Sequence, residues 1–485
     1  MINLKLTYKV LGSLLFLEAM FMIWCLVMAL SYGEDDVLSF LISSIVTIVI
    51  AIWLRYLGRD AENTMSRRDA YLIVTTSWLV FTILGAIPYL IGGYLTNVTD
   101  AFFESMSGFT TTGATILDDV ELLPHGMMFW RSLTQWIGGL GIVFFTIAIL
   151  PSFVGGNVRV FSAEATGPLR AKLHPRLSTT AKWIWTVYIV LTIGCCVSFV
   201  LGGMDWFDGV NYAMTTTATG GFSTHNDSIG YFHSPTIEYT GALFQFLSGI
   251  NFTILYLALF KFQLKSLFKN SELRFYVFIV LLSTLWIMLL LIYRNDYDFE
   301  HAFRSALFQT VSFITTTGLF SDDAALWPHI TWGILGMLMF FGACAGSTSG
   351  GFKSIRALMV FKVIRNQFKQ ILHPKAILPV KINQQSIATS KINTLMAFFA
   401  IFVVSCTLTT LLMVSVGIDN INAITISLSC ISNVGPTLGT QIGPEMSWSI
   451  LPDSIKWVCS GLMLMGRLEI FSVLVLFTPA FWKDN

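Results

Sequence analysis

Apolar residues in this chain fall into blocks of about 20, the length at which an α-helix crosses the hydrocarbon of a bilayer. Of its 485 residues 54% are apolar and 12% charged, where a soluble domain carries about 25% charged residues. Lipid is therefore the solvent, and each backbone polar group at membrane depth needs a partner from the protein. Ten spans are predicted, at 9–31, 37–57, 70–94, 128–150, 183–203, 237–261, 273–293, 329–365, 393–416 and 456–480. The first is read as a retained span, because no small-residue cleavage site ends its apolar run. The seven cysteines lie in or beside apolar stretches without CxxC or zinc spacing, and are read as small core residues.

Ten crossings put both termini on one side. With that side cytoplasmic, inner segments hold 24 of the 29 Lys and Arg. Arg131, Arg294, Arg304 and Lys456 lie outside, and Arg467 lies within a span. Acidic residues segregate oppositely, with 20 of 28 outside and Glu18 and Glu469 in spans. This asymmetry is the positive-inside signature. The segment 353–391 holds eight of the inner basic residues. It reads either as a topology signal touching anionic headgroups or as a docking face for a cytoplasmic regulator. Outside, Asp118, Asp119, Glu121, Asp227, Glu238, Asp322 and Asp323 follow three of the motifs described next. They form either a vestibule that concentrates cations or loops that merely avoid Lys and Arg.

Four short segments repeat one pattern. Aligned on a glycine they read Thr110-Thr111-Thr112-Gly113, Thr217-Ala218-Thr219-Gly220, Thr315-Thr316-Thr317-Gly318 and Ser432-Asn433-Val434-Gly435. A span precedes each, then a moderately apolar stretch too short to cross: 100–109, 207–216, 301–314 and 420–431. A helix of a dozen residues rises only about 18 Å, so the chain enters partway and returns extended. Extended backbone at that depth is tolerated where it is buried in protein or lines a watery cavity. Four such segments entering from one side predict a pore. Rings of backbone carbonyls can replace the water shell of a dehydrated cation, and glycine permits the required backbone geometry. With no carboxylate in the motifs, a monovalent cation is favoured over a divalent one. The expected fold is an all-α polytopic membrane protein. Four span–half-helix–filter–span repeats stand in pseudo-fourfold arrangement around one pore, with two extra N-terminal spans. The divisions are 1–69 for the extra spans, then 70–160, 161–270, 271–391 and 392–485 for the repeats.

The eighth span contains Gly342, Gly346, Ser347, Thr348, Ser349, Gly350 and Gly351, poor helix-forming material. It is read as an unwound intramembrane loop below the motifs, the alternative being close packing through small residues. Arg467, inside the last span, is costly there and by default faces a cavity or a partner such as Glu18.

These features resemble the Trk/Ktr/HKT superfamily of potassium transporters, in its TrkH branch. The resemblance rests on the four motifs, on RSLTQWIGGLGIVF (131–144) and on GACAGSTSGGFK (342–353), and covers nearly the whole chain. It implies potassium selectivity through the four aligned glycines, a gate formed by the loop in the eighth span, and a pore-facing Arg467. It implies a homodimer in the inner membrane, regulated by a cytoplasmic RCK-domain ring, TrkA, that binds ATP, ADP or NAD(H). No glycine-rich phosphate motif followed by lysine occurs in this chain, so nucleotide is expected on the partner only. No nucleic acid and no enzymatic activity are expected, since the histidines lack paired-ligand spacing. The competing reading is a carrier coupling potassium to protons or sodium by alternating access. Carriers also use repeats and broken helices, but commonly inverted ones.

Overall fold

The computed structural model describes residues 2–62, 64–141, 177–376, 378–439, 442–443 and 446–483. Among these, six helices are long and apolar enough to cross a membrane unaided: Leu4–Tyr32, Val37–Leu57, Arg67–Ile91, Ala181–Leu201, Ser271–Asn295 and Thr389–Ser415. The first two pack against each other, and the first also lies against the third. All seven cysteines are free, and six of them are buried.

The remaining expected spans depart from single helices. The expected 128–150 span begins as His125–Leu140, leaves the helix at Gly141 with φ 84°, and then passes outside the described residues. The expected 237–261 span is two helices, Pro235–Ser248 and Phe252–Lys261, bent by 106°. The expected 456–480 span is likewise broken, Asp453–Arg467 meeting Phe471–Phe477 at 108°. The 329–365 span is helix, loop and helix: His329–Phe341, residues 342–353, then Ser354–Leu372. One break was expected, and three are visible in full. The unexpected two leave little trace in the sequence, because Gly249-Ile250-Asn251 and Leu468-Glu469-Ile470 interrupt apolar runs by only three residues. Asn251 nevertheless starts a helix by accepting from the Thr253 N–H at 2.9 Å. Glu469 and Ile470 adopt φ 58° and 40°, conformations an α-helix does not contain.

The four short helices lie where the stretches before the motifs predict: Val98–Phe109, Trp206–Ala218, Phe299–Ile314 and Asn420–Ser432. Each starts at a side-chain oxygen that accepts a first-turn N–H: Asn97, Asp205, Asp298 and Asp419. Such caps satisfy donors that a helix start leaves open. Replacing Asp205 with Ala should therefore lower stability by about 1 kcal/mol. Thermal unfolding in detergent reads this as a lower midpoint, and an unmoved midpoint would contradict the cap's role.

Candidate functional site

All four short helices end in the same hydrogen-bonded turn. Thr111, Thr219, Thr316 and Asn433 take left-handed φ of 54°, 53°, 56° and 55°. Their N–H groups donate three residues back, to the carbonyls of Gly108, Thr216, Phe313 and Cys430. The next residues, Thr112, Gly220, Thr317 and Val434, donate five back, to Ser107, Thr215, Ser312 and Ser429. The five-back bond is the mark of a Schellman-type helix end, which turns the chain sharply out of the helix. The following residue again has positive φ and is glycine in every case: Gly113, Gly221, Gly318 and Gly435, at 83°, 85°, 79° and 95°.

This geometry corrects the alignment of the second motif by one residue. Gly221, not Gly220, is the counterpart of Gly113, Gly318 and Gly435. Gly220 corresponds to Thr112, Thr317 and Val434, and Thr217 falls back into the last turn of its helix. The double glycine hid the register, because either residue satisfies a one-glycine alignment.

The four glycines interlock in a cycle. A Cβ on Gly113 would collide with the carbonyl oxygen of Gly220, one on Gly221 with that of Thr317, one on Gly318 with that of Val434, and one on Gly435 with that of Thr112. Each repeat thus closes on the next, and the fourth on the first. The four glycines line one cavity, together with Asp118, Arg131, Met446 and Trp448. Among the described residues no cluster of three or more His, Cys, Asp or Glu could hold a metal ion. Backbone oxygens and the negative ends of four helix dipoles converge here, an environment that suits a cation.

A buried ion pair fixes the outer ends of two segments. Glu104, fully buried, accepts from Arg131 Nε at 3.1 Å and from the Ile116 N–H at 2.9 Å. Arg131 also donates to the Ser223 carbonyl at 3.0 Å and stacks over Phe222, 4.3 Å from the ring centre. Sequence reading placed Arg131 merely on the outer side. Its partner lies 27 positions away on a different helix, a pairing that periodicity does not reveal. Most of the expected acidic vestibule is likewise engaged in structure. Glu238 pairs with Arg304 at 3.1 Å, Asp119 accepts from Asn226, and Asp323 caps a short turn at Ala325. Asp118 remains at the cavity, where hydrogen bonds from Ser447 and Ser449 hold its carboxyl below the usual range and keep it ionised.

The loop 342–353 lies against the second, third and fourth segments. Thr348 Oγ1 donates to the Thr217 carbonyl at 3.1 Å. The Gly350 N–H donates to Thr316 Oγ1 at 2.7 Å and the Gly351 N–H to the Ser432 carbonyl at 2.9 Å. Arg467 completes the circuit, donating to the carbonyls of Thr348 at 2.8 Å and Gly139 at 2.7 Å. The Ser349 hydroxyl reaches back to the Ala343 N–H at 3.1 Å, while Gly346 and Ser347 are the more accessible part of the loop. Gly342 opens the loop with φ 64°. The break in the sixth span receives the loop: the Cys344 N–H donates to the Gly249 carbonyl at 3.0 Å, and Asn251 donates to that of Ala345 at 2.6 Å. Arg467 does not pair with Glu18, whose two oxygens have no hydrogen-bond partner among the described residues, and Glu469 pairs with Arg356.

The sequence profile of the TrkH family, described as cation transport protein, matches residues 38–484. The Trk system potassium uptake protein TrkH of Halomonas elongata is 34% identical, over 99% of this chain and 100% of that protein. Its namesake in Escherichia coli K12 is 35% identical, over 98% of this chain and 99% of that one. The crystal structure of the potassium transporter TrkH from Vibrio parahaemolyticus superimposes with a TM-score of 0.90 at 34% identity, covering 99% of this chain and 100% of that one. The fold and site define a multi-pass membrane transporter rather than an enzyme. The chain belongs to the TrkH family of cation transport proteins.

Two outcomes follow from the ion pairs. Arg131→Met alone leaves Glu104 buried and uncompensated, which should cost about 3–5 kcal/mol. The double variant with Glu104→Gln should recover most of that loss in thermal unfolding. On the outer loop, His225 lies 3.0 Å from Asp208 and 3.4 Å from Glu121. Burial opposes its protonation, but the bond and charge of Asp208, joined by Glu121, outweigh it and raise the imidazole above its ordinary value. Its stabilising contribution is therefore complete below about pH 6.5, the unfolded value, and fades as pH rises through the higher folded value. The midpoint difference between the wild type and His225→Gln should shrink between pH 6 and pH 9, in steps of about one unit. A difference constant with pH would refute this.

Proposed function

We propose that this chain takes up potassium through a gated, selective pore in the bacterial inner membrane, with both termini cytoplasmic. The single observation that carries this reading is the closed cycle of Gly113, Gly221, Gly318 and Gly435. Four oxygen-bearing segments converge in the same sense on one cavity, the arrangement that desolvates a monovalent cation without formal charge. It favours a pore over the alternating-access carrier, whose halves are commonly inverted. Filter positions run from Thr110 to Gly113, Ala218 to Gly221, Thr315 to Gly318 and Ser432 to Gly435. The relatives' names, potassium uptake proteins, support the choice of ion.

The loop from Gly342 to Lys353 acts as the gate, because its contacts with Thr316 and Ser432 of the filter, and with Thr217 at the end of the second short helix, block the inner exit. Arg467 latches it by joining Thr348 to the first repeat, and its charge opposes cation exit. Opening requires Thr348, Gly350 and Gly351 to exchange those partners for water. The protein works as a homodimer with a TrkA-type RCK ring on its cytoplasmic face, and ATP, ADP or NAD(H) acts through that ring. The relatives' designation as parts of a Trk system supports a partner, as does the basic segment 353–391.

Flux into proteoliposomes tests the reading. The wild type should pass potassium and rubidium well ahead of sodium and lithium, and Gly113→Ser should reduce that preference by about tenfold. Equal flux of all four ions through the wild type would overturn the assignment. Arg467→Ala should raise potassium flux several-fold, by about fivefold for the loss of about 1 kcal/mol of latch. A well-folded variant with unchanged flux would remove Arg467 from the gate.

A further inference from the structure

The second filter segment lacks the internal brace of the first and third. In those two, threonines two residues apart share a hydroxyl hydrogen bond across the turn: Thr110 with Thr112 at 2.8 Å, and Thr315 with Thr317 at 2.7 Å. The corresponding residues of the second segment are Ala218 and Gly220, which have no hydroxyl to offer. Gly220 and Gly221 are also adjacent glycines, the pair with the greatest backbone freedom and the greatest loss on ordering. A segment so composed needs an outside constraint to hold a carbonyl in place.

Gln135 supplies it. It belongs to the QWIGG run of the helix that follows the first filter segment, and it is fully buried. Its Nε2 donates to the Gly220 carbonyl at 2.7 Å, and its Oε1 accepts from the Phe222 N–H at 3.0 Å. The amide therefore spans Gly221, gripping the residue on each side. Gly220 is glycine for the same reason: a Cβ there would strike Oε1 and Cδ of Gln135. Gln135 occupies the volume that the side chain of Thr112 or Thr317 fills in its own repeat.

We propose that Gln135 is a selectivity-determining positioning residue, whose amide replaces the missing threonine pair and holds Gly221 in the glycine ring. It touches no ion. It sets where the Gly220 carbonyl and Gly221 stand, and so the fit of the ring to one ionic radius. The inference rests on the pore reading above.

The experiment measures potassium and sodium flux separately in proteoliposomes of the full chain: wild type, Gln135→Ala, Gly220→Thr and the double variant. Gln135→Ala should lower the potassium-to-sodium flux ratio by up to about 30-fold, about fivefold for each of two buried hydrogen bonds. Gly220→Thr should lower it too, by collision with Gln135. In the double variant the collision with the Gln135 amide is gone, so its ratio should fall no further than that of Gln135→Ala alone. Such non-additivity is the mark of direct contact. A purely structural role would lower both fluxes together and leave their ratio unmoved, which overturns the proposal, as do losses that simply multiply in the double variant. Should Gln135→Ala fail to yield folded protein, Gln135→Met takes its place. It keeps most of the side-chain volume but offers neither hydrogen bond, and an unchanged ratio there is equally fatal. A wild type without preference for potassium would instead sink the pore reading itself.

Discussion

Each ring glycine is pressed against a carbonyl of the next repeat, and the cycle closes only if all four segments keep the same turn. A side chain at any of the four places would meet backbone, which cannot swing aside as a flexible side chain can. Thr111, Thr219, Thr316 and Asn433 accept left-handed conformations for the sake of that closure. Such conformations are uncommon for residues other than glycine, and Asn tolerates them better than Thr. The helix-end hydrogen bonds give back part of the cost, since they satisfy carbonyls that would otherwise be left open in a low-dielectric interior.

The outer and inner surroundings of the ring are built by opposite means. Outside, charge and caps do the holding: Arg131 with Glu104, Asp208 with His225, and Trp448 donating to the Thr115 carbonyl at 2.8 Å. On the loop's side, backbone and hydroxyl groups meet one another, with Arg467, Lys353 and Glu272 as ionisable members. Uncharged hydrogen bonds are individually worth about 1 kcal/mol, a scale on which a few contacts can be made and broken together. The bends at Gly249 and Leu468 serve this arrangement, opening room beneath the ring where the loop lies.

How much was legible depended on how local each signal is. Long uninterrupted spans such as Val37–Leu57 and Thr389–Ser415 were legible from hydropathy alone, because a helix in lipid satisfies its own backbone. Short helices were legible from length and from the motifs that follow them. The bends were not, since three residues scarcely alter an apolar average. The partners of Arg131 and Gln135 were not either, since one bonds a neighbouring helix and the other the second glycine-bearing segment 85 positions on. The caps Asn97, Asp205, Asp298 and Asp419 carried a readable signal that the sequence reading passed over.

By itself the sequence determined the solvent, the predicted side of the membrane for each loop, and the existence of four related short segments that each end on a glycine. These follow from composition, charge bias and local repetition, which need no knowledge of neighbours in space. Only the tertiary structure decided which glycine of the second segment joins the ring, what stands in for its missing threonines, and which groups the loop 342–353 meets. Those outcomes are set by hydrogen bonds between residues 34 to 131 positions apart, and by the contact of the fourth repeat with the first. A side chain's volume and a carbonyl's direction become constraints only when the repeats stand side by side.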